Sequence, residues 1–306
     1  MIRQKTIRRS ASIEGVGLHS GKTVRLTIHP APAGRGIQFV RSDRPDAEPL
    51  PADVKHVVGT AFATTLGHDD FTVATVEHLM SALAGLGVDN ATVELDADEV
   101  PILDGSAAPF AKLVREAGRR ELAAARKYLV IDSPISVADG DKRATLYPSR
   151  EFRVSYTIEF DHPVIRMQQF KLALQDGQYE REIAPARTFG FLHEVNMLKA
   201  NGFAAGGSLD NAVVVGASSV LNSEGLRFPD EFVRHKVLDS IGDLYLLGMP
   251  ILGHLVARKS GHDLNTRLSR EVLLRPERWH VTELAKSGER AVEPAFALET
   301  AVAAAR

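Results

Sequence analysis

Hydrophobic positions along this chain change period from place to place, and each change marks an element. From Thr23 to Ile28 apolar and polar residues alternate, the period of a half-buried strand. Ser10 to Leu18 reads as a strand ending at the turn-like His19-Ser20-Gly21-Lys22, and after Pro30, Pro32, Gly34 and Gly36 a further strand runs from Ile37 to Val40. Helical spacing then takes over through Val76, Leu79, Met80, Leu83 and Leu86, with Thr75 as the expected N-cap and Gly85 and Gly87 as the stop. Asn90 to Leu95 reads as a strand, and Asp104-Gly105-Ser106 opens a helix from Ala107 to Ala117 that ends at Gly118.

An alanine- and arginine-rich run from Arg119 to Lys127 interrupts the pattern, which predicts a domain boundary near residue 126 and domains spanning 1–126 and 127–306. The second part repeats the order of the first, with strands at 128–138, 143–147, 152–160, 212–220 and 251–258 and a helix at 192–200. An α+β protein with two similar halves and a cleft between them is the expected architecture.

The most informative stretch is Phe228 to Gly248. It predicts a helix apolar almost all round, through Phe232, Val233, Val237, Leu238, Ile241 and Leu244 to Leu247, and such a helix is buried. Yet His235, Asp239 and Asp243 recur every four residues along one face. Buried charges without partners cost several kcal/mol, roughly, so this row requires a metal, mutual pairing or a substrate.

Composition narrows the choices. The formal net charge is -2, from 37 Lys plus Arg against 39 Asp plus Glu, which argues against a nucleic-acid surface. Cysteine is absent, so any metal has nitrogen and oxygen ligands. The basic N-terminus is followed by no apolar run of signal-peptide type, and the run from Tyr245 to Ala257 is too interrupted to span a bilayer, so a cytoplasmic protein is expected.

The His-x3-Asp spacing is weak evidence by itself. With 11 histidines and 39 acidic residues in 306, about 1.4 such spacings arise by chance, and one is found. A hydrogen-bonded structural pair would explain it equally well. As a metal site, His235 and Asp239 need a third ligand. His78 can supply it from the helix after Thr75, leaving Glu77 to face a metal-bound water as a general base would, although Glu77-His78 also reads as an ordinary polar first helical turn. His262 sits in a turn, either as a surface residue or as a partner of Asp243. Thr188 either places a hydroxyl in the cleft or ends a strand. The glycine-rich segment Gly202 to Ser208 lacks the ending of a phosphate loop.

Taken together, Ile13-Glu-Gly-Val-Gly-Leu-His-Ser-Gly21, Thr75-Val-Glu-His-Leu-Met80, Pro101-Ile-Leu-Asp-Gly-Ser106, Ala186-Arg-Thr-Phe-Gly190, the Phe232-Val-Arg-His-Lys helix and Lys259-Ser-Gly-His262 resemble the UDP-3-O-acyl-N-acetylglucosamine deacetylases of lipid A biosynthesis. The resemblance spans about residues 2–275, and the tail after Trp279 matches nothing recognisable. It implies two similar two-layer α/β sandwich domains, each with an insert, here at about 56–74 and 183–211, and an active site in the cleft between them. It implies zinc, with iron as an alternative, on His78, His235 and Asp239. Glu77 would be the general base, His262 held by Asp243 the general acid, and Thr188 an oxyanion donor. Lys236, Phe189, Lys259 and Phe160 would bind the UDP-linked acylated glucosamine, with the acyl chain passing along the second insert. A monomer is expected. Two other readings stand beside this one: a deacetylase of a different nucleotide sugar, and a non-catalytic nucleotide-sugar binding protein.

Overall fold

The computed structural model describes residues 1–69, 71–174 and 177–285. In the first part of the chain, the strands Ala11–Val16, Thr23–Pro30, Ala91–Leu95, Ile37–Arg41 and Leu50–Pro51 lie side by side in that order. The period-2 reading holds at Thr23–Pro30, where Val24, Leu26 and Ile28 are fully buried and Thr23 and Arg25 are exposed. In the second part a seven-stranded sheet is built around Ile251–Arg258, which pairs antiparallel with Lys142–Pro148 and parallel with Phe152–Glu159. Lys127–Ile131 joins the start of that strand and carries Trp279–Glu283 on its other side.

The helices are α1 (Glu77–Gly85), α2 (Ala108–Ala117), α3 (Leu192–Ala200), α4 (Glu231–Tyr245) and α5 (His262–Leu274). α1 packs on α2 and, most extensively, on α4. α4 also covers the strands Phe152–Glu159 and Met167–Ala173, and α5 lies on α4 and on Ile135–Asp139. The molecule is thus a mixed α+β fold in which the α1–α4 contact joins the two sheet systems. No helix among the described residues is long and apolar enough to cross a membrane.

Several expectations change. Thr75 does not cap α1: it adopts φ 58°, the helix starts at Glu77, and its hydroxyl donates to Glu99 at 3.1 Å. The Arg119–Ala125 run is a strand, antiparallel to Arg3–Ile7 in a two-stranded ribbon with little burial, so it shows no apolar alternation. Met167–Ala173 is another strand, whose inner side is Gln168, Phe170 and Leu172; the polar Gln168 on that side and the exposed Met167 on the other blur the alternation. The predicted strand 212–220 contracts to Val213–Val215, and 128–138 breaks around Asp132 and Pro134. Of the tail after Trp279, residues 286–306 lie outside the described residues.

Candidate active site

α4 can approach α1 closely because residue 242 is glycine: a Cβ there would stand 2.0 Å from the Glu77 carbonyl oxygen. The contact sets Glu77 and His78, in the first turn of α1, against His235, Asp239 and Asp243 on α4, and all of these residues are buried.

Three of these groups converge. Nε2 of His235 lies 3.3 Å from Asp239 Oδ1, and Nε2 of His78 lies 3.7 Å from the same oxygen. The two imidazoles meet edge to face with centroids 5.0 Å apart. His235 Nδ1 donates to the Ala186 carbonyl at 3.1 Å, which fixes its tautomer and leaves the Nε2 lone pair free. Asp239 Oδ2 accepts from Lys236 Nζ at 2.7 Å, while the buried Oδ1 has no hydrogen-bond partner. A buried carboxylate oxygen without a donor, facing two imidazole nitrogens, is the environment a divalent cation satisfies. The candidate ligand atoms all lie within 4.8 Å of one another, so His78, His235 and Asp239 can hold a metal. Burial, reinforced by the neighbouring His235, pushes the His78 imidazole down to about 3, keeping it neutral. Burial alone would raise the Asp239 carboxyl, but the facing His235 and Lys236 hold it well below the usual carboxylate range.

Beside this cluster stand two groups that are both shifted upward, for different reasons. Desolvation pushes Glu77 up to about 7, against the attraction of His262. Burial would depress His262, yet Asp243 and Glu77 together raise it to about 9. His262 Nδ1 donates to Asp243 Oδ2 at 3.0 Å, leaving Nε2 3.7 Å from Glu77 Oε1 and 3.9 Å from Asp239 Oδ2. Asn265 Nδ2 also donates to Asp243 Oδ2, at 2.8 Å.

The segment 186–188 forms a rail along this site. Ala186 holds His235, and the buried Arg187 donates its backbone N–H and its Nε to Glu231 Oε1, at 3.0 and 2.9 Å, tying the rail to the start of α4. Thr188 N donates to the Gly105 carbonyl at 2.7 Å. Gly105 itself has φ 83°, and a Cβ there would stand 2.2 Å from the Asn211 carbonyl oxygen, so the turn tolerates no larger residue.

Glu77, His78, Phe160, Thr188, Phe189, His235, Lys236, Asp239, Lys259 and His262 all line one cavity of about 510 Å³. Asp243 lies behind its wall, 1% exposed, in contact with His262. Phe189 stands edge-on to Phe160 and Phe232, with centroids 5.8 and 5.0 Å away. Lys259 is held by Asp141 at 2.5 Å at the other end.

Sequence reasoning missed Thr64, Gly242 and Glu99. Thr64 is fully buried and bonds to both Glu77 and Asp243. Glu99 accepts from the backbone of His19 and Ser20, each at 2.8 Å, and so fixes the loop that carries Leu18 and His19 into the cavity wall. Neither Ala63-Thr64-Thr65 nor an isolated glutamate carries a motif, and Gly242 reads as an ordinary helix glycine until its neighbour is known.

The family model for UDP-3-O-acyl N-acetylglycosamine deacetylase matches residues 4–274. A protein of Myxococcus xanthus named UDP-3-O-acyl-N-acetylglucosamine deacetylase is 56% identical over 278 residues, covering 91% of this chain and 88% of its own length. The protein of that name in Citrifermentans bemidjiense is 51% identical, over 92% of this chain and 93% of its own. That in Anaeromyxobacter dehalogenans is 50% identical over 98% of each. With a match from near the N-terminus to the end of α5, including every residue of the cavity described above, this chain belongs to the UDP-3-O-acyl N-acetylglycosamine deacetylase family.

Proposed function

We propose that the protein hydrolyses the N-acetyl group of UDP-3-O-(hydroxyacyl)-N-acetylglucosamine, releasing acetate and a free amine, as a cytoplasmic step of lipid A biosynthesis. The observation that carries this reading is the convergence of Glu77, His262 and the His78–His235–Asp239 cluster on one cavity, in a chain of this family. Zinc is the cation assigned to the cluster, and iron would accept the same nitrogen and oxygen donors. When bound, the cation supplies Lewis acidity, polarising the amide carbonyl and acidifying water beside it.

The chain's own groups divide the remaining work. Glu77 takes a proton from the attacking water as its oxygen adds to the carbonyl carbon. Thr188 donates its hydroxyl to the developing oxyanion, and the imidazolium of His262, held by Asp243, lies against the same charge. As the C–N bond breaks, His262 Nε2 passes its proton to the amine nitrogen, leaving a neutral amine and acetic acid, which ionises to acetate; the proton held by Glu77 returns the pair to its starting state. Lys236 and Phe189 contact the sugar end of the substrate, and Phe160 and Lys259 the nucleotide end.

The acyl chain is assigned to the segment 183–211. Leu192 and Met197, on α3, are 50% and 53% exposed and offer this chain apolar surface. Phe203 closes one side of this region against Phe62 and His19, with centroids 4.8 and 5.4 Å away. We place the domain division near residue 126, with domains 1–126 and 127–306, and expect a monomer.

Acetate release by the purified protein tests the assignment. Dialysis against a chelator should abolish it and added zinc should restore it; activity that survives metal removal would exclude the metal reading. Equal rates on UDP-N-acetylglucosamine with and without the 3-O-acyl chain would move the substrate to another nucleotide sugar.

A further inference from the structure

Thr64 lies in the short three-stranded segment that precedes α1, away from every motif in the sequence, yet it touches both halves of the acid–base pair. Its side chain is fully buried. Its backbone N–H donates to Glu77 Oε2 at 3.1 Å, and its carbonyl accepts from Val76 N at 3.2 Å, so the residue is docked onto the entry to α1. Its hydroxyl donates to Asp243 Oδ1 at 2.6 Å and stands 3.3 Å from His262 Nδ1.

The donors and acceptors leave no freedom in this arrangement. His262 Nδ1 must carry its proton to donate to Asp243 Oδ2, so it cannot accept from Thr64. The single hydroxyl proton of Thr64 therefore goes to Asp243 Oδ1, the oxygen that neither His262 nor Asn265 uses. Without that hydroxyl, Asp243 Oδ1 is a carboxylate oxygen buried beside an apolar gap, free to rotate toward another donor and take His262 with it.

We propose that Thr64 is a positioning residue: it holds Glu77 with its backbone and Asp243 with its hydroxyl, so that Glu77 Oε1 and His262 Nε2 face the same point in the cavity, 3.7 Å apart. The inference rests on the hydrolytic reading above, in which those two atoms handle the protons.

Two pairs of proteins isolate the hydroxyl: native against Thr64→Val, and Thr64→Ser against Thr64→Ala. Each is assayed for kcat, KM, bound metal and melting temperature. In the metal-free protein the proton resonance of His262 Nδ1–H is also followed, which reads the geometry without turnover. The Val and Ala variants should lose kcat by about 10- to 100-fold, with KM within about three-fold and metal content unchanged. Their Nδ1–H signal should shift or broaden into solvent exchange, and Ser should recover both the signal and most of kcat. Val and Ala variants within about two-fold of native kcat would overturn the proposal, as would a Ser variant as impaired as Ala, or a loss that follows metal content. If the Val variant no longer melts cooperatively, the Ser and Ala pair decides. Glu77→Gln and His262→Gln are measured alongside. Native kcat in those two would remove the acid–base reading itself, whereas their failure beside fully active Val and Ala variants would remove only the role of Thr64.

Discussion

Glu77 and His262 face each other in a site where burial and neighbouring charge act on them in different balance. Burial dominates at Glu77 and raises it to about 7, while the carboxylates around His262 outweigh burial and raise it to about 9. Glu77 must be ionised to accept a proton, so activity should rise as pH passes through the first value. His262 must be protonated to donate, so activity should fall as pH passes through the second. We expect a bell-shaped kcat/KM profile whose limbs belong to the coupled pair, and a monotonic profile would count against a paired acid and base. Substitution separates chemistry from metal binding at the same scale. Glu77→Gln and His262→Gln should keep their metal and lose about 10²- to 10⁴-fold in kcat. Asp239→Ala removes the oxygen shared by both histidines and should purify with little metal; full occupancy by elemental analysis would refute its assignment as a ligand.

At the scale of elements, the site depends on the closeness of α1 and α4. α4 is buried along nearly its whole length, so its polar row exists only because α1, α5 and the 186–188 rail supply partners. Gly242→Ala tests this directly. The new methyl would meet the Glu77 carbonyl at 2.0 Å, and backbone cannot swing aside as a flexible side chain would. Such overpacking should cost about 1–3 kcal/mol in denaturant unfolding and reduce kcat by moving Glu77. An unchanged midpoint together with unchanged kcat would show that the helices have room to separate.

For the whole molecule, the proposed metal would be linked to stability. A cation held by residues 78, 235 and 239 would crosslink elements distant in the chain and relieve the unpartnered Asp239 oxygen. Because an unfolded chain offers no such site, the melting temperature should climb with added zinc, by the equivalent of about 2.7 kcal/mol at a free concentration one hundred times Kd. Zinc that restores acetate release without moving the melting temperature would contradict binding at this buried cluster. Much of this organisation was legible in the chain. Periodicity located α1, α2, α4 and the best-buried strands, since a half-buried element writes its environment into alternate or every third and fourth residue. The strand Arg119–Ala125 buries little, and in Met167–Ala173 the inner side carries the polar Gln168 while the outer carries Met167, so neither showed a clean alternation. The candidate metal, acid and base residues were recognisable from motifs taken together, though the His-x3-Asp spacing alone was no better than chance. What the sequence by itself determined was therefore where the strongly patterned elements lie, from local periodicity, and which residues are candidates for the chemistry, from motifs taken together. Only the tertiary structure decided that His78 meets His235 and Asp239, that the missing Cβ of Gly242 admits Glu77, and that Thr64 bonds to both Glu77 and Asp243. These are contacts between residues far apart in the chain, set by packing, and no local pattern records them.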